Sequence, residues 1–237
     1  MFAPPQSFSV IVPIHNEAQI VDEQVALMVH ALSQLGLEYE VILVENGSID
    51  ETLALGHALA QRYPMVRVLV LPTGNYGLAI KHGIENARYD IGIVFNVEFW
   101  ELEFVRIALA ALHSRALVIG SKAAPGAHDD RPWVRRTITR AYNNLLRLVW
   151  RFDGTDTHGM KAFRREVLVP LANQCVCDGF VFDTELVLRA QRAGLSILEL
   201  PTDVRELRAP TTISLFKRIP AVMRNLWRLW FGLAGRK

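Results

Sequence analysis

Apolar runs of four to six residues recur through the first hundred positions, and each gives way to small polar side chains. Ser9-Val10-Ile11-Val12-Pro13-Ile14, Val41-Ile42-Leu43-Val44, Val68-Leu69-Val70-Leu71 and Ile91 to Phe95 have the length and composition of strands buried on both faces. Between them the apolar spacing turns helical, first at Ile20, Val21, Val25, Leu27 and Met28 and again at Ala79, Ile80, Ile84 and Ala87. Ser48 followed three residues later by Glu51 has the form of a capping box and predicts a helix start there. Strands alternating with helices predict an α/β fold, a mostly parallel, doubly wound sheet with right-handed crossovers.

The polar clusters at the strand ends carry the candidate chemistry. They read His15-Asn16-Glu17, Glu45-Asn46-Gly47-Ser48-Ile49-Asp50, Gly74-Asn75-Tyr76-Gly77 and Asn96-Val97-Glu98. Ligands of open α/β sheets bind just beyond the carboxyl ends of the strands, so Glu45, Asn46 and Asp50 stand where a nucleotide can be gripped. Asn and Gly also serve plain turn chemistry, but the recurrence of polar groups at successive strand ends favours a shared site.

Composition adds limits. At 237 residues and 51% hydrophobic the chain can bury a sizeable core, with one domain over 1–212 and an appended segment over 213–237. Cys175 and Cys177 lack zinc-site spacing and sit too close to bridge each other, so both are expected reduced and the protein cytoplasmic. The start Met1-Phe2-Ala3-Pro4-Pro5 does not read as a signal peptide. From Arg205 onward eight basic residues face one acid, although the whole chain carries only +2. Within Ser214 to Lys237 the cations alternate with Leu, Trp and Phe, which is too interrupted to span a bilayer and too apolar for a solvated helix. It reads either as a helix lying in the headgroup layer or as one packed on the sheet with its arginines snorkelling. Arg131 to Arg151 is a second amphipathic block, placed to lie over the mouth of the site. Nucleic-acid binding is set aside, because that helix is half apolar and no recognised motif accompanies it.

The series Ile11-Val12-Pro13-Ile14-His15-Asn16-Glu17, Val44 to Asp50, Gly77 to Ala87, Asn96-Val97-Glu98 and Gly120-Ser121-Lys122 resembles the family 2 glycosyltransferases of GT-A fold. Asp156-Thr157-His158-Gly159-Met160-Lys161-Ala162-Phe163-Arg164 and Phe182-Asp183-Thr184-Glu185-Leu186 bring it nearest to the dolichyl-phosphate and polyprenyl-phosphate mannosyltransferase branch. That resemblance implies an inverting transfer of a sugar, mannose favoured, from a nucleoside-diphosphate sugar to a polyprenyl phosphate at the inner face of a membrane. It also implies a nucleoside pocket lined by Pro13, His15 and Glu17, with Glu45 or Asn46 at the base or ribose and Asp50 contacting the donor or capping its loop. The diphosphate is then expected near Gly77 and Lys81, and Mg²⁺ or Mn²⁺ at Asn96, Val97 and Glu98.

Two departures from the family pattern matter. Its metal-binding Asp-x-Asp is Asn96-Val97-Glu98 here, which replaces one charged oxygen donor by a neutral carbonyl and weakens the expected site. The Arg usual after Gly-Ser is Lys122, a point charge in place of a bidentate fork. A phosphate acceptor is already anionic near neutral pH and needs no general base, only cationic positioning. Lys122, Arg131, Arg135, Arg136, Arg205 and Arg208 are the candidates, and Glu98, Lys122 and Glu185 are the expected catalytic groups. Glu185 should face inward, so either a cationic partner or a functional role is expected of it. His158 is read as a structural residue or an acceptor contact. A non-lipid acceptor and a non-catalytic nucleotide-sugar-binding relative, the latter suggested by Asn96, are the alternatives.

Overall fold

One antiparallel strand inside an otherwise parallel sheet sets the geometry of this molecule. The computed structural model describes residues 7–204 and 212–234. The first half runs β1 (Ser7–Ile14), α1 (Val21–Ser33), β2 (Glu38–Asn46), α2 (Thr52–Arg62), β3 (Val66–Leu71), α3 (Tyr76–Asn86), β4 (Ile91–Val94) and α4 (Leu102–Ala111). The second half runs β5 (Leu117–Ser121), α5 (Trp133–Trp150), β6 (Lys161–Arg164), α6 (Arg165–Gln174), α7 (Val181–Arg192), β7 (Ile197–Pro201) and α8 (Thr212–Ala234). The seven strands form one sheet in the order β3-β2-β1-β4-β6-β5-β7. β6 alone runs against its neighbours, pairing Val94 with Lys161 on one side and Ile119 with Lys161 on the other.

The strand pattern explains the layers. Successive residues of β1 alternate between two cores: Val10, Val12 and Ile14 meet Val25, Met28 and Phe104, while Ile11 meets Ile42, Val44 and Ile80 on the opposite face. Burial on both faces is what the continuous apolar runs require. α8 joins the second core through Leu226, Leu229 and Leu233, next to Trp150 and Leu186.

The capping box is not formed. Glu45 takes the amide of Ser48 at 2.5 Å and turns the loop, so that Ser48 Oγ accepts the Asn16 amide at 3.0 Å instead of a helical one. Asp50 Oδ1 does the capping, accepting the Thr52 amide at 3.0 Å and its hydroxyl at 2.5 Å. Gly47 sits at φ +75° there, and a Cβ on it would lie 2.8 Å from the Gly74 nitrogen.

Glu185, expected among the catalytic groups, is held as a structural pin. It is fully buried, and its Oε1 receives Arg189 Nε at 2.8 Å and Nη2 at 2.6 Å. Its Oε2 accepts the amides of Val176 at 2.9 Å and Cys177 at 2.7 Å. Both oxygens are therefore spent on holding the α6–α7 loop, and Arg189 is the cationic partner that burial demands.

At the far edge of the sheet, Glu40 binds Ser9 Oγ at 2.7 Å, Arg67 Nε at 2.6 Å and the Arg88 amide at 2.6 Å. Burial alone would raise its pKa, but these donors outweigh it and leave the carboxyl below its ordinary value. Its stabilising contribution is present above the ordinary value of 4.5 and lost as pH falls through the lowered one. Glu40→Gln is thus expected to lower stability near neutral pH and to flatten its fall under acid, read by urea denaturation across pH. In the same assay Glu185→Ala, which strands a buried guanidinium, is expected to cost about 3–5 kcal/mol. Full stability with abolished turnover would return Glu185 to catalysis.

Candidate active site

Parallel pairing of β1 to β4 brings their carboxyl ends to one edge, and the reversal of β6 adds its preceding loop, 155–160, to that edge. Gly159 makes the closure possible. A Cβ there would lie 1.5 Å from the Gly120 carbonyl oxygen, so only glycine lets this loop press against the end of β5.

The tips of β1 and β2 form a shelf stitched by hydrogen bonds. His15 Nδ1–H donates to the Asn46 carbonyl at 2.9 Å, and its Nε2 accepts Asn16 Nδ2 at 3.1 Å. Asn46 donates to the Ile14 carbonyl at 3.0 Å and accepts the Asn75 amide at 2.9 Å. Pro13 is buried within β1, beside Val44. The Glu17 amide bonds Thr52 Oγ1 at 2.7 Å, and its carbonyl closes the first turn of α1. Asp50 Oδ2 takes the Ala18 amide at 3.2 Å, so this side chain ties the two loops together rather than waiting for a donor. These contacts fix the shelf before any ligand arrives.

Three expected donor residues lie elsewhere. Gly77 opens α3 against Gly179 and Phe182, where a Cβ would come within 2.6 Å of Phe182 Cβ, so it packs protein instead of facing phosphate. Lys81, a turn further on, does not line the cavity described below. Val97 is likewise a core side chain, 3% exposed.

The strand-four tip has its own network. The Tyr76 hydroxyl lies 3.3 Å from Asn96 Oδ1 and 3.4 Å from Asp183 Oδ2, and its single proton serves one of them at a time. Asp183 pairs at 3.1 Å with Lys161 Nζ, which donates at 3.0 Å to the Gly159 carbonyl, and both charged side chains are buried. Beside them Lys122 pairs with Asp156. Burial would raise the Asp156 pKa, but Lys122 and the His158 ring and amide hold it low. The His158 ring donates from Nε2 to the Phe180 carbonyl at 3.0 Å and accepts Thr157 Oγ1 at Nδ1 at 3.0 Å. Burial pushes its pKa down, and both ring nitrogens are already bonded within the protein.

Asn96, exposed Glu98, Lys122, Asp156 and His158 all face one cavity of about 660 Å³. Apolar surface comes from Val134, Ile138 and Tyr142 of α5 and Val222 and Met223 of α8, with Thr139, Asn143 and Thr202 as polar positions among them. Arg131 and Arg135 enter this cavity, Arg131 held by Asp129 through two bonds of 2.8 Å. Arg136 instead turns into an adjoining polar pocket with Arg140 and Lys122, which opens to both spaces. Loop 123–130 is tied to the segment after β7 by His128–Val204 and Asp130–Val204 backbone bonds of 2.9 and 3.2 Å. Arg205 and Arg208 lie outside the described residues. Tyr76, Asp156, Lys161 and Asp183 were not among the expected site residues. For two of them there was a chemical signal: Asp156 precedes the glycine that closes on β5, and Lys161 stands directly before the apolar pair Ala162-Phe163.

Comparison with known proteins agrees with this architecture. The family described as Glycosyl transferase family 2 matches residues 9–170. Glycosyltransferase AglD of Haloferax volcanii is 31% identical over 235 residues, covering 96% of this chain and 38% of its own length. Dolichyl-phosphate beta-glucosyltransferase ALG5C of Trichomonas vaginalis is 27% identical, covering 87% of this chain and 66% of its own. Polyprenol monophosphomannose synthase of Mycolicibacterium smegmatis is 28% identical, covering 86% and 79%. The chain thus spans from 38% to 79% of the length of these relatives. Glucosyl-3-phosphoglycerate synthase of Mycobacterium tuberculosis, solved with Mn²⁺, UDP and phosphoglyceric acid, superposes with a TM-score of 0.71 at 20% identity over 95% of this chain and 78% of its own, which shows a common fold. With a family match over most of its length and the expected GT-A sheet, the chain belongs to the family 2 glycosyltransferases.

Proposed function

We propose that the chain moves a sugar, mannose favoured, from a nucleoside-diphosphate donor to the phosphate of a polyprenyl phosphate, with inversion at the anomeric carbon. One observation carries this reading: Asn96 and Glu98 at the β4 tip, together with Lys122, open into a cavity that Val134 and Ile138 of α5 and Val222 and Met223 of α8 line with apolar surface. A soluble sugar acceptor would call for hydrogen-bonding walls, whereas an isoprenoid tail calls for Val134, Ile138, Val222 and Met223. The relatives named for dolichyl and polyprenol phosphates support the same acceptor class.

In this reading the nucleoside rests on the His15–Glu45–Asn46 shelf and the diphosphate faces Asn96 and Glu98. The acceptor phosphate is held by Lys122 with Arg135 from one side and Arg136 from the other. Its anionic oxygen attacks the anomeric carbon as the bond to the diphosphate breaks, and no side chain has to remove a proton. Asp156 keeps Lys122 aimed.

The donor set at the tip fits a divalent ion that the nucleotide helps to hold. Among the described residues no group of three or more His, Cys, Asp and Glu is placed to hold a metal, and Glu98 and Asp156 are the carboxylates that line the cavity with Asn96. Mg²⁺ accepts one or two carboxylates when phosphate oxygens and waters complete its shell. Asn96 and Glu98 would hold it, and its chemistry there is neutralisation of the departing diphosphate.

α8 supplies the membrane contact in this proposal. No helix among the described residues is long and apolar enough to cross a membrane. Trp227, Trp230 and Phe231 are nevertheless 67%, 52% and 57% exposed, next to exposed Arg224 and Arg228, which suits the headgroup layer of a cytoplasmic leaflet.

Calorimetry with UDP, GDP and their sugars is expected to show one nucleotide binding at least about tenfold tighter with Mn²⁺ than with chelator, and Mn²⁺ alone binding only weakly. Metal-indifferent nucleotide binding without transfer would favour the non-catalytic relative that Asn96 suggests. In vesicle sedimentation Trp227→Ala with Phe231→Ala is expected to weaken binding to anionic liposomes by about tenfold or more. Undiminished binding would leave α8 as a packing element only.

A further inference from the structure

The last helix reaches the donor tip through one buried amide. Asn225 on α8 is 4% exposed, among the leucines that dock the helix. Its Nδ2 donates to Asp178 Oδ1 at 2.9 Å and to the Ala221 carbonyl at 3.1 Å, while its Oδ1 accepts the Asp178 amide at 3.3 Å. Its own carbonyl accepts the Cys177 thiol at 3.2 Å. Arg228 closes on the other Asp178 oxygen at 3.2 Å. A Cβ on Gly232 would lie 2.8 Å from Val176 Cγ2, so the helix backbone abuts the same loop.

That loop, 176–180, continues to the site. The Gly179 amide donates to Asn75 Oδ1 at 3.0 Å, and Asn75 also caps α3 through the Leu78 amide at 3.1 Å. The Phe180 ring stacks on Tyr76 with centroids 5.3 Å apart, and Tyr76 reaches Asn96. The Phe180 carbonyl holds His158, whose amide is bound by Asp156, the partner of Lys122. A leucine at 225 would continue the apolar stripe of Leu226 and Leu229, whereas an amide there is stable only when its donor and acceptor are both used. Only a side chain with both can grip the Asp178 amide and carboxylate together.

We propose that Asn225 is a positioning residue: it fixes loop 177–180 so that Phe180 sets Tyr76 under Asn96 and His158 beside Asp156. Docking of α8 and assembly of the donor tip are then one event. The catalytic consequence rests on the transferase reading; the geometric one does not.

The test uses the full chain with Asn225→Ala, Asn225→Asp and the double change Asn225→Asp with Asp178→Asn, which reverses donor and acceptor in the clamp. Amide exchange at 75–78 and 97–100 is expected to rise about tenfold in both single variants and to return within about threefold in the double. With nucleotide sugar and polyprenyl phosphate, kcat is expected to fall about tenfold while the donor KM stays within threefold, again with recovery in the double variant. Vesicle binding should not change. Exchange confined to 176–178 and α8, or no recovery in the double variant, would overturn the inference. If Asn225→Asp does not fold, Asn225→Ala decides by the same exchange pattern. A wild-type chain that transfers no sugar would overturn the transferase reading alone and leave exchange to judge the clamp.

Discussion

The reversal of β6 is the constraint from which the site follows. In an all-parallel sheet the loop before β6 would leave from the opposite edge, and Asp156, His158 and Lys161 would lie a strand length from the tips of β1 to β4. Running antiparallel, β6 sets Lys161 beside Val94 and Ile119 at once and delivers its loop onto the end of β5. The contact of Gly159 with the Gly120 carbonyl is the tightest consequence of that arrangement.

Charge placement obeys the same geometry. Two lysines and two aspartates meet under the cavity, Lys122 with Asp156 and Lys161 with Asp183, and both pairs are almost dry. Buried pairs of this kind add little net stability, and removing one partner is costly, so their value lies in holding groups at fixed positions. Lys122 is the member that opens to both cavities, and the anchored aspartate keeps that cation from collapsing elsewhere. The opposite problem is met at Glu185, whose charge is spent on its own loop and never reaches the cavity.

Much of this was legible in the chain. The first four strands could be read because each is a continuous apolar run buried on both faces, and the convergence of their polar ends followed from parallel topology. β5, β6 and β7 were not read as strands, since they are short and β6 carries Lys161 and Arg164 at its two ends. The capping box failed because Glu45, from the preceding strand, competes for Ser48. Arg189, four residues after Glu185, was the available sign that this acid had a local partner. The two readings of the terminal segment describe two faces of one helix: Leu226, Leu229 and Leu233 pack inward, while Trp227 and Phe231 remain outside.

The central claim is that the strand tips and the loop before β6 bind one donor across a single cleft. A crystal structure of the chain with a nucleoside diphosphate and Mn²⁺ tests it most directly. The account predicts the base on the His15–Glu45–Asn46 shelf and the diphosphate between Asn96, Glu98 and Lys122. A nucleotide bound away from that edge, or one whose diphosphate turns from Glu98, would contradict it.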